Sequence, residues 1–282
     1  MTSETSQHPE PLPEPPDTLD IVGQEFRQIV PFSKLVEEGF SVFGGMIVMF
    51  VRATRRALTP PFVLGDTAYQ VEMLGARSLS IATLTAVFAG LVITLQFAFF
   101  MGRFGIQHTV GKVVVLTLFR ELAPVLTALT VGARIGSGIT AELGSMKVTE
   151  QIDAISALGA DPIRKLVTPR LLSCVVVLPA LTILSDVFGL VAGAVVASTQ
   201  YDIPMDQFFR GAVETADIVD FTSGVAKSAV FGLIIAVVGC YKGFEVSGGT
   251  EGVGRATTET VAITSVAVLL SDFFLTKLFL AL

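Results

Sequence analysis

The chain is poor in charge, cysteine and histidine, and each shortage excludes a class of protein. Only 16% of its 282 residues are charged, against roughly 25% in a globular protein. Its two cysteines, Cys174 and Cys240, lie in apolar stretches and form neither a disulfide nor a metal-binding pattern. Its histidines, His8 and His108, lie outside the long apolar runs, which argues against an intramembrane protease. The net charge of −6 argues against a nucleic-acid binder.

Long apolar runs take the place of the missing charge. Ser78–Gly102 contains no charged residue, and about 20 apolar residues suffice to cross the hydrocarbon core of a bilayer. Five spans are predicted, at Leu79–Met101, Val113–Ala141, Leu171–Ser198, Thr222–Tyr241 and Thr260–Leu282. The predicted fold class is an all-α integral membrane protein, with an N-terminal interfacial helix, five transmembrane helices and a cytoplasmic helix between the second and third.

Three regions are predicted along the chain. Residues 1–20 are acidic and proline-rich without an apolar signal core, which is typical of a disordered cytoplasmic tail. Residues 21–77 form an amphipathic interfacial region, and residues 78–282 form the five-helix membrane domain. The apolar run Phe40–Val51 ends at arginines and is too short to cross, which favours a helix in the headgroup layer. A short buried or re-entrant helix is the alternative.

The basic residues predict the orientation. Most of them fall on the side that holds the N-terminal flank and the 142–170 and 242–258 loops, which is therefore cytoplasmic. The opposite side is assigned Arg103, Lys112, Arg210 and Lys227. The N-terminus is expected in the cytoplasm and the C-terminus outside. An odd number of spans leaves no room for a simple internal duplication, so a two-fold pathway would need a second copy.

The loop after the second span carries a short predicted helix, about residues 148–160. Thr149-Glu150-Gln151 is typical of a helix start with a capping hydroxyl. Ile152 and Ile155 then fall on one face. The helix is either an amphipathic connector on the membrane surface or a lever that receives force from a cytoplasmic partner, and periodicity does not separate the two.

Two features inside the spans suggest a lipid pathway. In the first span, Ile93, Phe97 and Phe100 form an apolar stripe with Gln96 beside it, which suits acyl chains and a headgroup oxygen or ordinary helix packing. In the second span, Arg120 and Glu121 point about 100° apart, so each needs another partner. That partner is lipid phosphate or cavity water, or else an ion pair between helices, for example between Arg120 and Asp186.

Several motifs closely resemble the MlaE/YrbE family, the permease subunits of ABC-type lipid transporters. They are Arg120–Leu129, Gly132–Ser137, Ala141–Ala154, Asp161-Pro162, Pro169-Arg170, Gly243-Phe244, Gly252–Thr258 and Asp272-Phe273. They occur in order over roughly residues 35–282, and the tail before residue 21 is an individual extension.

The resemblance implies a homodimeric permease in the bacterial inner membrane that moves phospholipid between inner and outer membranes. It implies a cytoplasmic ABC ATPase dimer as partner, with ATP and Mg²⁺ bound there and no cofactor in this chain, and a periplasmic hexamer of MCE-domain proteins. The chain itself is not expected to be an enzyme. The implied ATPase-coupling residues are Glu150, Gln151, Asp153, Ala154, Ala157, Leu158 and Gly159, and the implied lipid-binding residues are Ile93, Gln96, Phe97, Phe100, Arg120 and Glu121.

An ion-coupled secondary transporter is the alternative function. It would use the intramembrane acids Asp186 and Asp272 as proton or sodium sites. It predicts activity without an ATPase, and it leaves the cytoplasmic helix without a role.

Overall fold

The computed structural model describes residues 32–60 and 63–281, and every regular element in these ranges is helical. The α-helices are α1 (Phe32–Ala57), α2 (Leu64–Ala76), α3 (Leu79–Arg103), α4 (Val110–Thr117), α5 (Ala123–Val148), α6 (Gln151–Ala157), α7 (Thr168–Tyr201), α8 (Met205–Thr215), α9 (Ile218–Phe244) and α10 (Gly249–Ala281). A 3₁₀ turn at Gln107–Thr109 and π-helical turns at Leu118–Leu122 and Ile163–Val167 join some of them. The predicted tail, residues 1–20, lies outside the described residues, as do residues 21–31 and Leu282.

Five stretches of the described chain are long and apolar enough to cross a membrane. They are Leu79–Arg103, Gln107–Val148, Ile163–Tyr201, Ile218–Phe244 and Gly249–Ala281. The all-α fold with five spans is therefore confirmed. Each helix is longer than predicted because it continues into polar residues at its ends. The largest difference is the predicted 242–258 loop, most of which is helical: α9 runs to Phe244 and α10 already begins at Gly249.

Residues from Met46 onward form one unit that contains all five spans. Within it, α7 packs along α3 and α9, and α5 packs along α9 and α10. Glycine permits the closest approaches, as expected for membrane helices. A Cβ atom on Gly90 of α3 would collide with the backbone of Gly189 of α7, and Gly132 of α5 faces the side chain of Ile235 of α9.

The predicted cytoplasmic helix is present as α6, but it starts differently from the prediction. Glu150 precedes it in the left-handed conformation, with φ of 58°. Glu150 rather than Thr149 occupies the N-cap position of α6, and the Thr149 hydroxyl donates to the Ser145 carbonyl at 2.8 Å, at the end of α5. Gly159, with φ of 78°, lies just past the other end. A sharp turn on each side therefore separates this helix of about two turns from α5 and from the helix that follows.

Candidate functional site in the membrane

A buried lysine lies at the centre of a polar cluster between the second, fourth and fifth spans. Lys227 of α9 has only 2% of its side chain exposed. Its Nζ atom donates to both carboxylate oxygens of Glu121 at 3.0 Å, to the backbone carbonyl of Arg120 at 3.0 Å and to Thr276 Oγ1 at 2.6 Å. It also forms an ion pair with Asp272 Oδ1 at 3.1 Å. A buried ammonium needs such partners, since an unpaired charge in hydrocarbon is costly.

A second ion pair adjoins this cluster. Through Nε and Nη2, the guanidinium of Arg120 contacts Oδ1 of Asp220, which is buried in the first turn of α9. The other oxygen of Asp220 accepts from the backbone N–H of Asp217 at 3.3 Å, as half of a capping box that starts α9. Asp220 therefore both begins the helix and positions the arginine.

The local sequence explains why the backbone carbonyl of Arg120 is available to Lys227. Pro124 has no N–H, so it cannot donate to the Arg120 carbonyl four residues earlier. The preceding residues Leu118–Leu122 form a π-helical turn, a feature frequent at functional sites. The Arg120 oxygen accepts instead from Lys227. A proline in the second span thus creates a backbone acceptor for a charge on the fourth.

The cluster opens onto a cavity of about 500 Å³ on the outer face of α10. Glu121, Asp272, Phe273, Thr276 and Lys277 line it, together with further apolar residues of α10. Glu121 has 38% of its side chain exposed, and Arg120, which lines a smaller adjoining cavity, has 44%. The site can therefore present a carboxylate and a guanidinium next to apolar surface.

Within the part of the chain that the structure describes, little packs against the face of α10 around this cavity. Only 11% of its most apolar window is buried, the smallest share among the five spans. Its exposed large residues are Val266, Leu269, Leu270, Phe273, Phe274, Leu278 and Leu280.

The structure corrects one assignment made from sequence. Asp186, suggested as an ion-pair partner of Arg120, is not that partner, because the guanidinium pairs with Asp220. Lys227, one of the four basic residues predicted on the outer side, has its side chain buried within the bundle, because its position on α9 faces α5 and α10. Asp186 is buried, and its Oδ1 atom has no hydrogen-bond partner among the described residues. Asp272 belongs to the lysine cluster.

A pattern on α9 could have revealed the missed residues. Asp220 and Lys227 are seven residues apart, two helical turns, and so share one face. Asp272 and Thr276, four apart, share a face of α10 in the same way. Polar residues repeated at helical spacing inside an apolar span mark a face that meets other polar groups.

The chain matches the model of the family described as Permease MlaE over residues 67–278. It belongs to the MlaE permease family. A probable ABC transporter permease protein of Synechocystis is 43% identical over 213 residues, which is 76% of this chain and 81% of the relative. A probable ABC transporter permease protein of Rickettsia conorii is 36% identical, over 84% of this chain and 91% of the relative. The chloroplast protein TRIGALACTOSYLDIACYLGLYCEROL 1 of Arabidopsis thaliana is 36% identical, over 88% of this chain and 69% of the relative.

The predicted lipid-binding stripe of this MlaE-family permease divides between two environments. Ile93 and Phe97 are partly buried against a core cluster of α3, α4 and α7. Phe100 and Gln96 are exposed. The cavity beside Glu121 is lined by α10 rather than by this stripe. Lipid contact by these four residues stays a prediction.

The predicted coupling residues lie together on the surface. Glu150, Gln151, Asp153, Ala154, Ala157, Leu158 and Gly159 are all exposed. Ile152 is buried and Ile155 is half-buried, so they anchor α6 to the bundle. Lys147 pairs with Asp153 at 3.1 Å and ties α6 to the end of α5. Leu158, at 86% exposed, is an apolar side chain without cover in the single chain.

Proposed function

We propose that this permease is the membrane subunit of an ATP-driven phospholipid transporter and works as a homodimer. The observation that carries the proposal is the Lys227 cluster, which opens onto an apolar cavity on a largely exposed helix face. Intramembrane charges face a bundle interior or a substrate path by default. The names of the relatives support the ATP-driven class.

The chemistry of the cavity suits a zwitterionic headgroup. Arg120 offers a guanidinium edge to a lipid phosphate, and Glu121 offers a carboxylate to a headgroup amine. Both side chains are partly exposed, so a lipid reaches them without first separating Lys227 from Asp272. Phe273 and its apolar neighbours on α10 offer the surface for acyl chains.

A second copy of the chain would complete the site. The exposed apolar face of α10 surrounds a cavity that is open on one side. Packing this face against its counterpart would bury the apolar side chains and enclose the cavity between two Lys227 clusters. The lipid pocket would then lie at the dimer interface.

Coupling to ATP would pass through α6. Its exposed residues, from Glu150 to Gly159, form the surface offered to an ABC ATPase, while Ile152 and the Lys147–Asp153 pair transmit its movement to α5. α5 follows directly on Arg120 and Glu121, so one helix connects the ATPase surface to the lipid cavity. On the outer side, a hexameric MCE-domain protein would receive or deliver the lipid, as the resemblance implies.

Co-purification from native membranes in mild detergent, with mass spectrometry of proteins and lipids, tests the proposal. We expect an ABC ATPase at one copy per permease and bound phospholipid. Glu121→Gln should reduce the retained zwitterionic lipid, whereas Glu214→Gln, which alters an exposed acid paired with Lys112, should not. A permease recovered without ATPase and without lipid would contradict the proposal.

One observation favours ion coupling as a second candidate. The buried, unpartnered Oδ1 atom of Asp186 is a group that a proton would satisfy. Asp272, the other candidate ion site, is already paired with Lys227. Lipid transfer in proteoliposomes separates the two functions: ATP dependence that survives collapse of ion gradients supports the first, and gradient dependence without ATPase supports the second.

A further inference from the structure

A second amphipathic groove lies beside α5, nearer the other end of that helix. It has a volume of about 710 Å³ and is formed by α2, α5 and the first turns of α10. Arg77, Tyr69 and Gln70 contribute from α2 and the residue after it, and Arg134 and Ser137 contribute from α5. Thirteen residues at about 1.5 Å each separate Arg134 from Glu121, which is about 20 Å along the span.

Two arginines and one acid line the groove, so the lining has a net positive charge. Among the described residues, neither Arg77 nor Arg134 has a carboxylate partner, and Arg134 Nη1 donates to the buried Ser78 hydroxyl at 3.0 Å. The acid that lines the groove, Glu142, is paired with the buried Arg170 at 2.7 Å. Two guanidinium groups therefore remain available, one of them oriented by a fixed hydrogen bond. Guanidinium matches phosphate in shape and charge.

The groove also has an apolar part. Met73, Leu74, Ile135 and Ile139 line it beside the arginines. Arg77 immediately precedes the first span, at the depth where headgroups meet hydrocarbon, and on the side predicted to be cytoplasmic. Phosphate-binding groups at headgroup depth next to apolar side chains match an anionic phospholipid better than a soluble phosphate compound.

We propose that this groove is a second phospholipid site, in the cytoplasmic leaflet, in which Arg77 and Arg134 bind the phosphate of an anionic lipid. The inference rests on the proposed lipid transport and adds a place where lipid enters or leaves at the opposite leaflet from the Lys227 cluster. The two sites differ in charge: the cluster offers a carboxylate and a guanidinium, whereas in the groove Glu142 is paired with Arg170 and the two arginines have no carboxylate partner among the described residues.

The absence of tryptophan from the chain allows a direct test. Tyr69→Trp places a single fluorophore in the groove, and Phe88→Trp places one on the exposed surface of α3 as a control. Both full-length proteins are reconstituted in phosphatidylcholine, and acyl-brominated phosphatidylglycerol is titrated in as a quencher. We expect half-maximal quenching at a lower mole fraction for the groove fluorophore than for the control.

Arginine variants in the Tyr69→Trp background test whether the two guanidinium groups cause the stronger quenching in the groove. Arg77→Gln with Arg134→Gln should raise the half-quenching mole fraction on the order of tenfold, as expected for loss of charge-assisted contacts. The Arg77→Lys, Arg134→Lys double variant should have a half-quenching mole fraction between those of the arginine protein and the double glutamine variant, because the charge is kept and the fork geometry of the guanidinium is lost. Arg103→Gln, which removes a cation stacked on Phe99 outside the groove, should change nothing.

Four results would overturn the inference. They are equal quenching of the two fluorophores, no effect of the double glutamine variant, full reversal by excess inorganic phosphate, and cross-linking of Tyr69→Cys between two copies with no quenching in the groove. The third would identify a free-phosphate site, and the fourth a protein interface. If any of them occurs while the unsubstituted protein, reconstituted with its ATPase, still carries out ATP-driven lipid transfer, the second site alone is refuted and the proposed function stands.

Discussion

Replacing Lys227 by methionine should destabilise the protein more than any exposed charge change. The substitution removes the ammonium that lies 3.0 Å from both oxygens of Glu121 and 3.1 Å from Asp272. It leaves two acids facing each other and deprives the Arg120 carbonyl and the Thr276 hydroxyl of a partner. Removing one member of a buried ion pair costs about 3–5 kcal/mol. For a chain of this size that corresponds to a fall in melting temperature of about 6–20 °C.

Thermal unfolding of the purified protein in mild detergent measures the effect. Lys112→Met is the matched control, because Lys112 forms an exposed pair with Glu214 that should contribute about 0–1 kcal/mol. Adding Glu121→Gln and Asp272→Asn to Lys227→Met should recover most of the loss, since no unpaired acid then remains. Equal melting temperatures for the two lysine variants, or no recovery in the triple variant, would refute the idea that Lys227 neutralises these acids.

Three further substitutions test other parts of the molecule. Leu158→Asp should lower the amount of co-purifying ATPase on the order of tenfold while the melting temperature stays the same; retention of the ATPase would remove α6 from the docking surface. Gly90→Val should cost about 1–3 kcal/mol or more in unfolding free energy, because any Cβ collides with the Gly189 backbone. Gly138→Val is its control, with no atom near the added Cβ, and should stay within about 0.5 kcal/mol. Asp186→Asn should leave unfolding free energy unchanged or raise it by about 1 kcal/mol; a loss above about 3 kcal/mol would instead reveal a cationic partner.

Individual elements show where sequence reasoning succeeded and where it stopped. The spans were predictable because run length and apolar composition are properties of one segment at a time. The ends of α9 and α10 were not, since helix continues into polar residues whenever the backbone bonds are satisfied. The predicted start of α6 was wrong in detail: Glu150 rather than Thr149 is the N-cap, and the Thr149 hydroxyl donates back to the Ser145 carbonyl.

The sequence by itself determined that this is a five-span helical membrane protein with charges inside its spans, and its motifs indicated the permease family. Only the tertiary structure decided which charges meet. The sequence contains several acids within the spans that could pair with Arg120, and its pairing with Asp220 rather than Asp186 depends on which helices are neighbours and how each is rotated. Lys227 became the centre of the candidate site for the same reason: a charge near the end of a span is at the surface or in the interior according to the packing around it.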